Sequence, residues 1–209
     1  MTKISIEVNK LKKVFGRRLI FKEVDFSLSE SQSLIITGKN GSGKSTLVKI
    51  LAGVLSNTSG SVRIKIDDKE IDNEKYFEII GLVSPYLVLY DEFSAYENLE
   101  LFARIRGVDV HKEKIESILN DVGLLDRKRD LYRTFSSGMK QRMKYASAIL
   151  HEPSILFIDE PTSNLDRPGK EYVQNLVDRF RKDRILIIAT NENEDFRFGD
   201  QIMNLDEYK

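Results

Sequence analysis

Apolar and polar residues alternate along the first third of the chain. Ile4, Ile6 and Val8 show this alternation, a second strand-like run covers residues 19–28, and a third run ends at Ile66. Alternation of this kind is typical of strands that have one buried and one exposed face. The pattern therefore predicts a β-rich opening to the chain, which we interpret as an antiparallel β subdomain.

Four continuous apolar runs indicate a second kind of strand, buried on both faces. Such runs are typical of parallel sheets, because other elements cover both sides of the sheet. A helical pattern over residues 173–180 separates the last two runs, and strand–helix alternation with right-handed crossovers gives a parallel sheet. The four runs are residues 34–37, 79–83, 154–159 and 185–189, and a short final strand is expected at residues 202–205.

Residues 94–150 change to a helical period and interrupt the strand–helix alternation. Three amphipathic helices are predicted there, and the hydroxyls of Ser136 and Ser137 can cap the third. We expect a single domain, in which residues 1–93 and 151–209 form an α/β core with its β subdomain and residues 94–150 form an inserted helical subdomain. The apolar positions are Leu99, Phe102 and Ala103 in the first helix, Ile115, Ile118, Leu119, Val122 and Leu125 in the second, and Met139, Met143, Ala146, Ile149 and Leu150 in the third.

Composition excludes several kinds of site. The 209 residues include 33 Lys and Arg, 33 Asp and Glu, and no Cys. The balanced charge gives no reason to expect a nucleic-acid partner, and the lack of cysteine excludes disulfides and thiolate metal sites and fits a reducing cytosol. His111 and His151 lack the spacing of metal ligands, and we expect both at the surface. No apolar run approaches the roughly 20 residues that span a bilayer, so a membrane role would need a partner.

The segment GKNGSGKS, residues 38–45, matches the pattern GxxxxGK[ST] in full. It follows a predicted strand and precedes a predicted helix, which is the setting of a P-loop. Its glycines let successive backbone N–H groups point at a polyphosphate, and the N-terminus of the helix adds partial positive charge. Lys44 would reach the β- and γ-phosphates, and the hydroxyl of Ser45 would ligate Mg²⁺. The residues expected to hold the nucleotide are Gly38, Asn40, Gly41, Ser42, Gly43, Lys44, Ser45 and Thr46.

Two neighbouring carboxylates follow a strand that is predicted to be buried. Asp159 ends the run and Glu160 comes next, so both should lie at the same sheet edge as the P-loop. An aspartate there holds Mg²⁺, and the adjacent glutamate is placed to polarise a water that attacks the γ-phosphate. The pair indicates hydrolysis of a nucleoside triphosphate in addition to binding.

The segment FSSGMKQR, residues 135–142, resembles the signature of ABC ATPases. With ILFIDEP at residues 155–161 and TSNLD at residues 162–166, the order of motifs resembles that of the ATP-binding subunits of ABC transporters along essentially the whole chain. The resemblance implies a P-loop NTPase fold with a RecA-like parallel-sheet core, and ATP and Mg²⁺ as cofactors. It also implies a homo- or heterodimer in which two ATP molecules are sandwiched head to tail.

Further residue roles follow from this resemblance. Ser136 and Gly138 would contact the γ-phosphate of the ATP bound by the partner subunit, and Asp166 matches the aspartate that communicates across the dimer. Phe15 matches the aromatic residue that stacks on adenine. Its residue type and position alone fit a core residue and a stacking platform equally well.

The chain departs from the family pattern at positions that matter for hydrolysis. Pro85 stands where the family has a glutamine, and its side chain cannot ligate Mg²⁺ or bind a water. Asn191 stands where the family has a histidine; its amide can donate a hydrogen bond to a γ-phosphate but cannot carry charge. Ser137 and Met139 replace the commonest signature residues, glycine and glutamine. Two interpretations stay open: a working but differently tuned ATPase, or an ATP-binding partner with weak hydrolysis in a heteromeric complex.

The motifs together favour a cytoplasmic ATPase subunit that drives separate integral membrane permease subunits and lies at the inner face of the cell membrane. The contact with the membrane subunits is expected between the loop at Pro85 and the helical insert, over residues 86–107. The segment YDEFSAYENLELFARIRG resembles export-type ATPases, including haem, drug and ABC-2-like systems. The alternatives are a soluble ABC ATPase acting on ribosomes or in DNA repair, and a P-loop nucleotide kinase, for which the signature-like segment would be superfluous.

Overall fold

The computed structural model describes residues 3–162, 165 and 167–209, and it contains two β-sheets and six α-helices within that part of the chain. Short 3₁₀ turns connect several of the elements. The strands are β1 (Ile4–Phe15), β2 (Arg18–Ser29), β3 (Ser33–Thr37), β4 (Ser59–Ile66), β5 (Lys69–Glu70), β6 (Ile80–Val83), β7 (Ile155–Asp159), β8 (Ile185–Ala189) and β9 (Gln201–Asn204); the helices are α1 (Lys44–Leu51), α2 (Tyr76–Ile79), α3 (Ala95–Ile105), α4 (Lys112–Asp121), α5 (Ser137–Ile149) and α6 (Arg167–Phe180).

The first sheet is antiparallel and has the strand order β2-β1-β4-β5. Phe15 pairs with Arg18 across the tight turn that joins β1 to β2. Buried apolar side chains alternate with partly exposed polar ones along β1 from Ile4 to Val8, as the sequence pattern requires for a sheet with one solvated face. The predicted antiparallel β subdomain is confirmed.

The second sheet has the strand order β6-β7-β8-β3-β9, and its paired strands are all parallel. Successive side chains of these strands enter two different cores. Leu34 and Ile36 pack with α1 and the antiparallel sheet, whereas Ile35 between them packs with the helical insert. The continuous apolar runs are explained by this arrangement, because each strand is buried on both faces.

The helical insert contains the three predicted helices, with one correction at the end of α4. That helix ends at Asp121, and Val122 and Leu125 lie beyond it. Gly123 has a φ of +62°, the left-handed conformation that commonly terminates a helix. Val122 is still buried, so the apolar spacing continued into the connecting turn and extended the sequence prediction too far.

The third helix of the insert, α5, packs directly on the parallel sheet. A Cβ atom added to Gly81 on β6 would lie 2.4 Å from the carbonyl oxygen of Ala148, so the close contact leaves no room for a side chain there. The helix therefore runs from the insert onto the core. The division of the chain at residues 94 and 150 stays a prediction.

His151 lies in a different environment from the one expected. Its Nε2 atom is 3.0 Å from the carbonyl oxygen of Ile80 and 3.1 Å from an Arg106 guanidinium nitrogen. Burial, together with the charge of Arg106, lowers the pKa of His151 to about 4. The prediction that it lies at the surface is wrong, whereas His111 is exposed as expected.

Across residues 3–162, 165 and 167–209, no helix has the length and apolar character needed to cross a membrane.

Candidate functional site

The P-loop connects the end of β3 to the start of α1 at the carboxyl edge of the parallel sheet. Gly43, immediately before the helix, has a φ of +109°. A Cβ atom at this position would lie 2.4 Å from Cγ2 of Ile20 on β2. Glycine is therefore required both by the backbone conformation and by the close approach of the antiparallel sheet.

The first turn of α1 is open to an anion. No side chain caps the helix at Gly43, and the first turn contains no acidic residue. The leading N–H groups of a helix have no intrahelical partners and carry partial positive charge. An uncapped helix start of this kind is compatible with the phosphate cradle that the motif predicts.

Lys44 is almost fully buried and is held within the loop. Its ammonium group donates a hydrogen bond to the carbonyl oxygen of Gly38 at 2.7 Å. Burial lowers the pKa of Lys44, while the carboxylates of Glu160, Asp159 and Asp206 act in the opposite direction. A phosphate in the cradle would give this cation a partner of full negative charge in place of a carbonyl dipole.

Ser45 and Asp159 meet although they are far apart in sequence. The hydroxyl of Ser45 donates to Oδ1 of Asp159 at 3.1 Å, and Asp159 is only 2% exposed. Burial raises the pKa of Asp159, and the hydrogen bond from Ser45 partly offsets this effect. A hydroxyl and a carboxylate are hard oxygen donors that suit Mg²⁺. Among the described residues, no group of three or more His, Asp or Glu could hold a metal.

Glu160 has a left-handed backbone, with a φ of +55°. Its N–H group donates to the carbonyl oxygen of Ala189 at 2.8 Å, which holds the end of β7 against β8. A residue with a side chain in this conformation stores strain of roughly 1–2 kcal/mol. Such strain often marks a functional position. Here the conformation presents Glu160 to the cavity beside the P-loop.

A cavity of about 490 Å³ lies against the P-loop. Phe15 lines it and is 47% exposed, with the ammonium group of Lys13 lying 4.6 Å from the centre of its ring. An aromatic ring exposed at this place is not a core residue, and stacking on a base stays a prediction. The lining residues are Phe15, Arg18, Ile20, Asn40, Gly41, Gly43, Lys44, Ser45, Thr46, Tyr86 and Glu160.

Asn191 reaches the P-loop from the end of β8. Its Nδ2 atom donates to Oδ1 of Asn40 at 2.8 Å. Both residues, together with Glu160, line a smaller cavity of about 210 Å³. The structure therefore brings three of the predicted site residues to one place.

The signature residues lie apart from this group. Ser136 caps α5 by accepting a hydrogen bond from the N–H group of Met139 at 3.3 Å, as predicted. Ser136 and Gly138 are absent from the residues that line the P-loop cavity of the described chain. A Cβ atom at Gly138 would meet only Leu165, at an ordinary 3.7 Å. The fold of the described chain therefore has no need for glycine at this position. Asp166, another predicted site residue, lies outside the described residues.

Several neighbours of the P-loop were missed by the sequence reasoning. The carboxylate of Asp206 accepts from the N–H group of Lys39 at 2.9 Å. The ammonium group of Lys209 donates to the carbonyl oxygens of Ser42 at 2.6 Å and Ile20 at 2.8 Å. The segment after β9 thus braces the loop through contacts that no sequence motif marks.

The loop that follows β6 is tied to α5. The ammonium group of Lys144 donates to the carbonyl oxygen of Pro85 at 2.7 Å and to that of Ser84 at 3.3 Å. Tyr86, next in the loop, is 71% exposed, lines the P-loop cavity and lies over the ammonium group of Lys49 at 4.5 Å. The backbone at Pro85 is therefore fixed although its side chain has no polar group.

A buried acid also lies beneath the site. Asp195 accepts a hydrogen bond from the hydroxyl of Thr190 at 2.7 Å and a longer one from Thr162 at 3.4 Å. Burial raises the pKa of Asp195, and these two hydroxyls partly counteract the shift. In the sequence this residue belongs to an ordinary acidic turn, ENED, and carries no signal of burial.

The chain matches proteins of known family. A family model described as "ABC transporter" matches residues 21–163. The linearmycin resistance ATP-binding protein LnrL of Bacillus subtilis (strain 168) is 31% identical over 191 residues, which are 89% of this chain and 60% of that protein. The lipoprotein-releasing system ATP-binding protein LolD of Treponema denticola is 36% identical over 203 residues, which are 90% of this chain and 89% of that protein.

A solved structure shares the fold. The ATP-binding cassette MJ0796, a dimer in a post-hydrolysis state bound to ADP and Pi, superposes with a TM-score of 0.83. The match covers 95% of this chain and 93% of that chain, at 23% sequence identity. The predicted α/β class, with a parallel-sheet core, an antiparallel sheet and an inserted group of helices, is confirmed.

Proposed function

We propose that this chain, which belongs to the ABC transporter family of ATP-binding proteins, hydrolyses ATP in the presence of Mg²⁺. The hydrolysis would drive a transporter. The contact between Ser45 and Asp159 at 3.1 Å carries this proposal. It joins the P-loop to the end of β7, and it supports our proposal that the oxygens of Ser45 and Asp159 are the ligands of Mg²⁺. A protein that only binds a nucleotide needs the P-loop, but it does not need the carboxylate of Glu160 beside Asp159.

Binding would use groups that are already in position. The N–H groups at the start of α1 and the ammonium group of Lys44 hold the β- and γ-phosphates, and Lys44 exchanges the carbonyl oxygen of Gly38 for a phosphate oxygen. Phe15 stacks on the adenine ring at the open end of the cavity. When bound, Mg²⁺ neutralises charge on the phosphates; Ser45 and Asp159 would hold it.

Hydrolysis would depend on Glu160 and Asn191. The carboxylate of Glu160 orients a water and accepts its proton as the water oxygen bonds to the γ-phosphorus. The bond from that phosphorus to the bridging oxygen of ADP breaks, which yields ADP and phosphate. The amide of Asn191 donates to a γ-phosphate oxygen, a role for which its contact with Asn40 holds it near the loop.

A dimer would complete the site. Ser136 and Gly138 lie away from the P-loop of their own chain, and the fold does not require glycine at residue 138. Close approach of a foreign phosphate explains that glycine, because the backbone N–H group can then reach the ligand. The partner is a second ATPase subunit, identical or different, and Asp166 would communicate across the contact.

A second partner would bind the groove between the loop at Pro85 and α5. Leu87 and Val88 line this groove together with lysines 140 and 144, and Val88 is 79% exposed. An exposed apolar surface with a polar rim is typical of a binding site for another protein. We assign it to an integral membrane permease, which would place the chain at the cytoplasmic face of the membrane. The resistance and lipoprotein-releasing functions in the names of LnrL and LolD support an export system.

A second candidate is an ATP-binding partner with weak hydrolysis in a heteromeric complex. Pro85 and Asn191 favour it, because neither side chain can carry charge or a proton in the reaction. We prefer the active ATPase, since Lys44, Ser45 and the two carboxylates provide most of the electrostatic stabilisation in phosphoryl transfer. A soluble ABC ATPase without a membrane partner is the remaining alternative.

The deciding measurement is Mg²⁺-dependent ATP turnover of the purified chain. Glu160→Gln should abolish turnover and preserve ATP binding, because the amide cannot accept the proton from water. Glu23→Gln is the matched control, as Glu23 is exposed on β2 and shares the left-handed backbone with a φ of 53°. Tight binding without turnover in the unmodified chain would favour the heteromeric alternative, and absence of ATP binding would refute both.

A further inference from the structure

A buried carboxylate lies beneath the two loops that carry Glu160 and Asn191. Asp195 has 0% exposure and belongs to the 3₁₀ turn Asn193–Phe198. Its Oδ2 atom accepts both threonine hydrogen bonds described above. Its Oδ1 atom has no hydrogen-bond partner within the described residues. Within the described residues, the side-chain hydrogen bonds of Asp195 therefore come only from two threonine hydroxyls.

These threonines lie at the ends of neighbouring strands. Thr162 follows Glu160 by two residues beyond β7, and Thr190 lies between the end of β8 and Asn191. Thr162 and Thr190 are 2% and 1% exposed. One carboxylate oxygen thus connects the segment of the general base with the segment of the phosphate-contacting amide.

Backbone contacts extend this connection to the P-loop strand. The N–H group of Thr190 donates to the carbonyl oxygen of Ile36 on β3 at 3.0 Å. The N–H group of Glu192 donates to the hydroxyl of Thr190, also at 3.0 Å. The hydroxyl therefore accepts one hydrogen bond and donates another, to Asp195, which fixes the turn on both sides of Asn191.

The fold does not need an acid at this position. β7 and β8 are already paired along their length, and a buried carboxylate is costly unless hydrogen bonds compensate it. An apolar side chain would avoid that cost, although it would leave the buried hydroxyls of Thr162 and Thr190 without their acceptor. We propose that Asp195 is a positioning residue that holds Glu160 and Asn191 at a fixed separation around the γ-phosphate. This inference rests on the ATPase function proposed above.

The test uses a matched pair of variants at Thr190 and the truncation Asp195→Ala. Thr190→Val removes the hydroxyl and keeps the shape of the side chain, whereas Thr190→Ser keeps the hydroxyl. Thr190→Val and Asp195→Ala should each lower kcat by roughly 10- to 100-fold, because small displacements of catalytic groups have effects of this size. The KM for ATP should change by less than about twofold, and Thr190→Ser should restore most of kcat. Equal kcat in Thr190→Val and Thr190→Ser would overturn the proposal.

Hydrogen–deuterium exchange provides a readout that does not depend on turnover. Asp195→Ala should increase exchange at residues 160, 162 and 190–192 and leave residues 33–36 of β3 unchanged. Increased exchange throughout the sheet would show a purely structural role, and unchanged exchange at both loops would show no role. Both results overturn the proposal. If the unmodified chain lacks turnover, the proposed hydrolysis fails, while the exchange pattern still decides the role of Asp195.

Discussion

Asp159 illustrates a conflict between stability and function at a single residue. Its carboxylate is buried, and one hydroxyl, from Ser45, donates to it in the described contacts. Burial disfavours a charged carboxylate unless a cation or several hydrogen bonds compensate it. The residue type therefore suits the metal-bound state better than the apo chain.

Replacing Asp159 should stabilise the apo protein and remove its use of Mg²⁺. Burial raises the pKa of Asp159 in the folded chain above its unfolded value, so the stability penalty is present at neutral pH and disappears as pH falls through the raised pKa. Asp159→Asn should gain about 0.5–2 kcal/mol in unfolding free energy at pH 7, the usual range for relieving such a site. Chemical denaturation in the absence of Mg²⁺ measures this gain. A gain that grows on acidification would contradict the assignment.

A variant at Asn191 tests whether the lack of a charged side chain at this position limits ATP turnover. Asn191→His places an ionisable ring where the amide contacts Asn40, and a charged donor binds phosphate more strongly than a neutral one. We expect kcat to rise roughly fivefold, which corresponds to about 1 kcal/mol. Asn193→His, at an exposed residue of the following turn, is the control. Unchanged kcat in Asn191→His would mean that the site is tuned around asparagine.

At the scale of elements, a serine caps the N-terminus of both α3 and α5, but only one of the two serines is proposed to bind a ligand. The hydroxyl of Ser94 accepts from the N–H group of Glu97 at 3.2 Å at the start of α3, within a capping box. Ser136 caps α5 in a similar manner and is also proposed to contact nucleotide on another subunit. A comparison of variants at Ser94 and Ser136 therefore separates the effect of capping from the effect of ligand binding.

Ser94→Ala and Ser136→Ala should have similar effects on stability and different effects on catalysis. Each variant loses an N-cap, which typically lowers the free energy of unfolding by about 0.5–2 kcal/mol. Only Ser136→Ala should also reduce ATP turnover, because only Ser136 would face a partner's phosphate. Urea denaturation and turnover assays of both variants provide the comparison. Equal turnover in the two variants would exclude a ligand-binding role for Ser136.

The sequence predicts elements and motifs well because their signals are local. Glycine spacing marks the P-loop, and continuous apolar runs mark β3, β7 and β8. The strand order is not local, since β3 pairs with β8 (Ser33 with Leu186) and with β9 (Leu34 with Gln201), which lie far away in the chain. Asp195 was missed for a related reason: one of its partners, Thr162, is 33 residues away, and the nearer one, Thr190, does not indicate that the acid is buried. Burial of a polar side chain has no signature in the residues next to it.

At the scale of the whole molecule, the separation of Ser136 and Gly138 from the P-loop is the basis for the second subunit that we propose. Gly138 lies in the first turn of α5 with room for a methyl group. Alanine there should preserve the monomer and even stabilise the helix by about 0.5–1 kcal/mol. A methyl group at a subunit contact would instead obstruct a nucleotide approaching from outside.

ATP should therefore drive dimerisation in a way that Gly138→Ala prevents. Glu160→Gln should accumulate as a closed dimer with ATP and Mg²⁺, because hydrolysis no longer reopens it. The double variant Glu160→Gln, Gly138→Ala should bind ATP with similar affinity and remain monomeric. Light scattering coupled to size-exclusion chromatography measures both. A monomeric Glu160→Gln variant at saturating ATP would refute the head-to-tail dimer.

The strand order also has a consequence for synthesis. The P-loop follows β3 directly, but the parallel neighbours of β3 are β8 and β9, which are synthesised long after it. Until those strands emerge, β3 has no paired neighbours in the parallel sheet to hold the P-loop in place. Its apolar residues are then exposed to other chains. A nascent chain should acquire nucleotide affinity only after residue 204 has emerged. Premature termination before residue 185 would then leave an incomplete protein that neither binds ATP nor conceals its central strand.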